Sequence, residues 1–218
     1  MPAVRQVVEH LVRETGARLG RAFRYAFADP EWPGRYLIAG AILLIPVAGY
    51  LALLGWQRRV YEAVRRGERH LPPPDLSQDI KLGVPTFVNV LVLGGAALLV
   101  MALVVIPLRA MGVRPGAYFP EPIVGPLFVV LVLVIFPEIL RRALAAGDKA
   151  ALLRPGLSLG VVRRQPRAYT VTVLGMVVAY LTAALGANVC CFGLVLTAPL
   201  GHVLAAHLIA EWERDVEA

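Results

Sequence analysis

Five stretches of this chain run for about 20 residues with almost no charge, separated by polar loops. They cover 36–57, 84–107, 123–140, 168–189 and 191–210. A helix of that length crosses roughly 30 Å of hydrocarbon, so each reads as a membrane span. Residues 3–27 follow a different pattern. Val4, Val7, Val8, Leu11, Val12, Leu19, Ala22, Phe23 and Ala26 recur at helical spacing, while Arg5, Glu9, Arg13, Arg18, Arg21 and Arg24 point elsewhere. The pattern predicts an amphipathic helix lying along a lipid interface, with a solvated helix packed on the rest of the protein as the alternative. Asp29-Pro30-Glu31-Trp32-Pro33 ends it, because proline cannot extend the hydrogen-bond ladder. The boundaries that follow are an interfacial helix over 1–34, one transmembrane domain over 35–210 and a C-terminal tail over 211–218.

Two of the polar-to-apolar transitions resemble each other. Residues 76–94 align without gaps on 157–175, with identities at Leu76/Leu157, Ser77/Ser158, Pro85/Pro166, Val90/Val171, Val92/Val173, Leu93/Leu174 and Gly94/Gly175. Upstream, Arg58-Arg59 and Gly67-Glu68 are echoed by Arg141-Arg142 and Gly147-Asp148. This predicts a duplicated helix–basic loop–helix unit, with a proline opening the second helix of each copy.

Composition agrees with membrane residence. Only 17% of the residues are charged and mean hydropathy is +0.67, against about a quarter charged in a soluble domain. The net charge of +7 fits arginine-rich loops held beside anionic lipid better than nucleic acid, since no interleaved basic and aromatic groove pattern is present. Charge placement also decides a topological question. Ile45-Pro46-Val47-Ala48-Gly49 interrupts the first apolar run, which either crosses once or folds as a hairpin. A single crossing divides Lys and Arg 14 to 8 across the membrane, and a hairpin divides them 20 to 2. The positive-inside rule favours the hairpin. The resulting fold is all-α: a polytopic helical membrane bundle of three helical hairpins plus the N-terminal amphipathic helix, with an internal parallel repeat. Trp32, Trp56, Tyr169 and Trp212 are then expected at the same, inner headgroup level as the basic loops. No cleavable signal peptide is evident.

Asp29-Pro30-Glu31-Trp32, Leu44-Ile45-Pro46-Val47-Ala48-Gly49, Arg58-Arg59, Arg66-Gly67-Glu68, Leu71-Pro72 and Cys190-Cys191-Phe192-Gly193 together resemble a prokaryotic family of polytopic membrane proteins, domain of unknown function 4013. The similarity covers roughly residues 20 to 210. Where the family carries an acidic and aromatic cluster in its first loop, this chain has Pro72-Pro73-Pro74-Asp75-Leu76-Ser77. The resemblance implies a multi-pass membrane protein and supplies no catalytic residues.

Candidate chemistry is sparse. Arg58, Arg59, Arg65, Arg66, Arg141, Arg142, Arg163, Arg164 and Arg167 form the basic loops, and they read as topological anchors or as contacts for anionic lipid or an acidic partner. Asn89, Thr172 and His202 are the candidate intramembrane polar site, with His202 expected to bond Asn89 or a threonine across the bundle. His207, five residues on, points about 140° away from His202. Glu138 stands three and four residues before Arg141 and Arg142, which predicts a local ion pair. Gly175, Ala179, Ala183 and Ala187 form a small-residue stripe suited to close helix packing. Ser77 and Ser158 are placed to cap helices, and adjacent Cys190 and Cys191 read as small buried hydrophobes rather than a disulfide.

No phosphate loop, zinc motif or nucleophile–base arrangement is present, so no cofactor, metal or enzymatic activity is expected. The leading expectation is a non-enzymatic scaffold, or partner- or lipid-binding protein, of the prokaryotic inner membrane. Its basic loops and both termini would be cytoplasmic. Its partners would be membrane lipids with anionic headgroups, with a protein partner or a homo-oligomer open and nucleic acid excluded. The alternative is a small transporter or permease.

Overall fold

Pro46 cannot donate into a helical ladder, and the chain reverses direction there. In the computed structural model, which describes residues 2–110, 137, 139–144, 164–186 and 190–217, helices α1 (Pro2–Ala28), α2 (Trp32–Leu43) and α3 (Ala48–Arg65) come first. They are followed by α4 (Leu76–Ala110), α5 (Pro166–Leu185) and α6 (Cys190–Glu217), and no strand occurs among the described residues. The turn between α2 and α3 is tight enough to hold Val47 at φ 61°, a region that β-branched residues rarely enter. Tyr36 and Trp56 meet edge to face with ring centroids 6.1 Å apart. In one continuous helix those positions would stand about 30 Å apart. Residues 36–57 therefore form a helical hairpin.

Local chemistry accounts for the next loop. Gly67 takes φ 74°, and the Glu68 and Gly67 N–H groups bond the Ala63 and Val64 carbonyls, both at 3.0 Å. This is a Schellman closure of α3, which glycine makes without steric cost. At the far end the Asp75 carboxylate accepts the Gln78 N–H at 2.9 Å and caps α4. The cap is thus Asp75 rather than Ser77, because the carboxylate already stands at the last non-helical position. Helix α4 begins at Leu76 and runs through Pro85, so that proline lies inside the helix, whereas Pro166 opens α5 as expected. Residues 145–163 of the second basic loop, with Gly147 and Ser158, lie outside the described residues, as do most of 123–140 and Ala187.

Glycines set the helix spacing. A Cβ on Gly55 would run into the Asp79 carbonyl, and one on Gly83 into the Leu51 carbonyl, so α3 and α4 touch backbone to backbone. In the α5–α6 pair, Leu208 lies against Gly175, while Ala179 and Ala183 lie against Gly201. The small-residue stripe therefore packs on the following helix. Helix α6 is central: it touches α1, α2, α3 and α5, and Val203–Ala206 and Leu208–Ala210 are fully enclosed. It stays helical through Glu217, so 211–217 is no tail. Pro166–Leu185 and Gly193–Glu217 are each long and apolar enough to cross a membrane.

A paired glycine test checks the α3–α4 crossing. Gly83→Ala is expected to destabilise by about 1–3 kcal/mol through overpacking against backbone. Gly95→Ala, whose Cβ would meet nothing within 4 Å, should be neutral or stabilising by about 0.5–1 kcal/mol. Thermal unfolding in detergent, followed by helical circular dichroism, reads both.

Candidate functional site

The last two turns of α6 carry Glu211, Glu213, Asp215 and Glu217. At about 100° per residue, Glu211 and Asp215 share one face and Glu213 and Glu217 the opposite one. The structure uses both faces. Towards α1, Arg21 donates twice to Glu211, at 2.6 and 3.1 Å, and Arg18 lies 2.7 Å from Asp215. Towards α3, Arg65 lies 3.1 Å from Glu213 and 3.0 Å from Glu217. Glu213, 4% exposed, also accepts from Tyr61 and, at 2.9 Å, from Arg141, whose guanidinium lies over the Trp212 ring. Glu14 extends the cluster to α5 through Arg167 at 2.9 Å. One end of the bundle is thus a layer of charge pairs joining α1, α3, α5 and α6.

Most of the sequence-predicted arginines enter this layer or its margins. Arg58 pairs with Glu62 and Arg66 with Glu68. Arg59 grips Asp79 through two bonds of 2.7 and 2.8 Å and donates to the Pro73 carbonyl. Arg65, Arg141 and Arg167 take the partners named above, and Arg164 is exposed beside them. Arg163 and Glu138 lie outside the described residues, and Arg141 reaches across the bundle to Glu213. Trp56 and Trp212 are buried rather than facing headgroups: Trp56 donates to the Pro72 carbonyl at 2.8 Å and Trp212 packs on Tyr169. Both rings point into the core of the bundle.

The candidate intramembrane site is satisfied piecemeal. Asn89 donates to the Pro85 carbonyl at 2.9 Å and Thr172 to the Ala168 carbonyl at 3.0 Å, each within its own helix. His202 pairs with Gln57 at 3.0 Å, not with Asn89 or a threonine. Gln57 is completely buried on α3, and its place at the polar end of an apolar run concealed it in the sequence. The rings of Tyr50 and Tyr180 enclose His202, while His207 faces α1 and lies tilted against Tyr25 with ring centroids 5.3 Å apart.

A second junction forms around Asp29, 1% exposed between α1 and α2. Its carboxylate accepts the Glu31 and Leu71 N–H groups at 2.9 and 2.8 Å and pairs with Arg35 at 2.6 Å. The start of the resemblance motif therefore staples the first loop to the α1–α2 corner. Burial raises the Asp29 carboxyl, but these donors outweigh it and hold the pKa below its ordinary 3.8. Burial likewise raises Glu14, and Arg167 and Arg18 outweigh it, holding that carboxyl below its ordinary 4.5.

Comparison of the chain with protein-family models, with curated proteins and with solved structures finds no match.

Two measurements test the layer. Glu213→Ala leaves Arg65 and Arg141 facing each other without their shared carboxylate and should lower stability by about 3 kcal/mol. Because Asp29 and Glu14 are depressed in the fold, their contribution is complete above their ordinary values of 3.8 and 4.5. It should disappear as pH falls through the lower folded values. Unfolding midpoints recorded from pH 6 to 3 should drop, and Asp29→Asn, already less stable at pH 6, should show a shallower drop.

Proposed function

We propose that the chain is a multi-pass protein of a prokaryotic inner membrane, a non-enzymatic scaffold that receives anionic lipid or a protein partner at its charged cytoplasmic end. One observation carries the reading: beyond the charged end, α2, α4, α5 and the α2–α3 turn expose large apolar side chains. The charge pairs gather where α3 and α6 end and α5 begins. Leu37, Ile38, Leu44, Ile45, Leu99, Leu103, Ile106, Leu181 and Leu185 stand exposed on the helices away from that end. Large exposed apolar areas mark contact with lipid or protein. Helices α5 and α6 have the length and composition of spans, and the α2–α3 hairpin supports placing both its flanks on one side.

With α1 and the first loop on the same side, the basic segments of the chain fall together, as the positive-inside rule requires. The α3–loop–α4 unit is the first copy of the parallel repeat, and the 139–144 helix followed by α5 is the second. Membership of the resembling membrane family is part of this proposal. The transporter reading draws less support, because Asn89 and Thr172 bond backbone of their own helices and His202 is enclosed by Gln57, Tyr50 and Tyr180.

Topology is the decisive test. Position 16 is exposed and has open space beside it, so Gly16→Cys, with Cys190 and Cys191 replaced by alanine, is a mild probe. A membrane-impermeant thiol reagent should label it in inverted vesicles and not in intact cells. Labelling from the outside alone would sink the model.

A further inference from the structure

We infer that the groove between the first turns of α1 and the start of α5 is a binding site for a single anionic phospholipid. The inference rests on the membrane reading above and assigns a place and a ligand class to it. The groove has two compartments. One, of ≈ 650 Å³, is lined mainly by Val7, His10, Leu11, Pro166 and Thr170. The other, of ≈ 450 Å³, holds Arg18, Arg164, Arg167, Glu14 and Asp215. Pro166 and Arg167 border both, so an apolar trough opens into a charged one. That is the outline of an amphiphile with an ionised head.

Charge complementarity sets the sign of the head. Among the described residues, three guanidiniums face two carboxylates in the charged compartment, a surplus of one positive charge. A phosphodiester carries one negative charge. Arg164 is exposed and makes no ion pair with a carboxylate among the described residues. Arg18 is 7% exposed and bonds Glu14 and Asp215 through Nη2, and its Nη1 is buried without a partner. Arginine donors in a planar fork suit phosphate oxygens.

The tail also has a path. Thr170, Leu174, Val178, Leu181 and Leu185 are all exposed and follow one another at helical spacing down α5. An acyl chain leaving the trough at Thr170 lies along this stripe without breaking any protein contact. Helix α1 supplies the other wall through Val7, 59% exposed, and Leu11 four residues on, which lie on the face that buries Ala22 further along the helix.

The test uses the full chain in a neutral detergent, titrated with phosphatidylglycerol and read by native mass spectrometry. One saturable lipid is expected. Arg164→Gln with Arg167→Gln should weaken it by about ten-fold or more. Thr170→Trp, which leaves every ion pair in place and fills the trough, should weaken it comparably. Arg24→Gln with Arg69→Gln, the same charge change in the neighbouring groove lined by Arg21, Arg24, Tyr25, Ala28 and Arg69, should leave affinity unchanged. Equal loss in both arginine pairs, an unaffected Thr170→Trp, or displacement of the lipid by soluble glycerol phosphate would each overturn the inference. Correct Gly16→Cys labelling without a saturable lipid would remove the groove and spare the membrane reading; outside labelling would remove the reading itself.

Discussion

Four carboxylates at the C-terminal end of a helix are an electrostatic problem, and the structure is arranged around its solution. The helix dipole already places partial negative charge there, so each added carboxylate is disfavoured by about 0.3–1 kcal/mol. Glu211, Glu213, Asp215 and Glu217 are tolerated because arginines converge on them from α1, α3 and the 139–144 helix. Since the acids alternate between two faces, α6 must be flanked on both. That requirement puts α6 in the middle, with α1 on one side and α3 on the other. The enclosed apolar run Val203–Ala210 of α6, broken only by His207, then follows as a consequence of position.

Much of this was legible in the chain. The hairpin at Pro46 was readable twice, from a proline–glycine break and from the count of basic residues on each side of it. The α5–α6 pair was readable from its small-residue stripe, because close approach needs small side chains wherever it occurs. Periodicity found α1 but not its docking. Arg18 and Arg21 look like the solvent face of an amphipathic helix, yet Arg18 is buried and both pair with acids, Asp215 and Glu211, about 190 residues later.

Non-local pairing is what the sequence conceals. Local spacing points Arg141 to Glu138, which lies outside the described residues, and gives no sign of Glu213, 72 residues away. Likewise His202 is paired by Gln57, which looks from the sequence like the first polar residue after an apolar run. The acids of the last turns could have been suspected from their i, i+4 spacing on two faces. Short polar ends of chains are read as tails because nothing local says what they will touch. The aromatic residues fail for the same reason: nothing local says that Trp56 and Trp212 face the core.

The basic end of the protein is therefore not a free electropositive surface. Arg58, Arg59, Arg65, Arg66, Arg141 and Arg167 each have a carboxylate within 3.1 Å, and such pairs attract distant anions weakly. What remains attractive is local surplus, where guanidiniums outnumber acids and a donor is uncommitted. Helix α1 creates such a place by its length. Its later turns cover α6 and are neutralised there, while its first turns lie beside the start of α5 with Val7 still exposed. An apolar stripe that continues past the surface it packs on needs another apolar phase to continue into, and under the proposed membrane reading that phase, beside α5, is the bilayer.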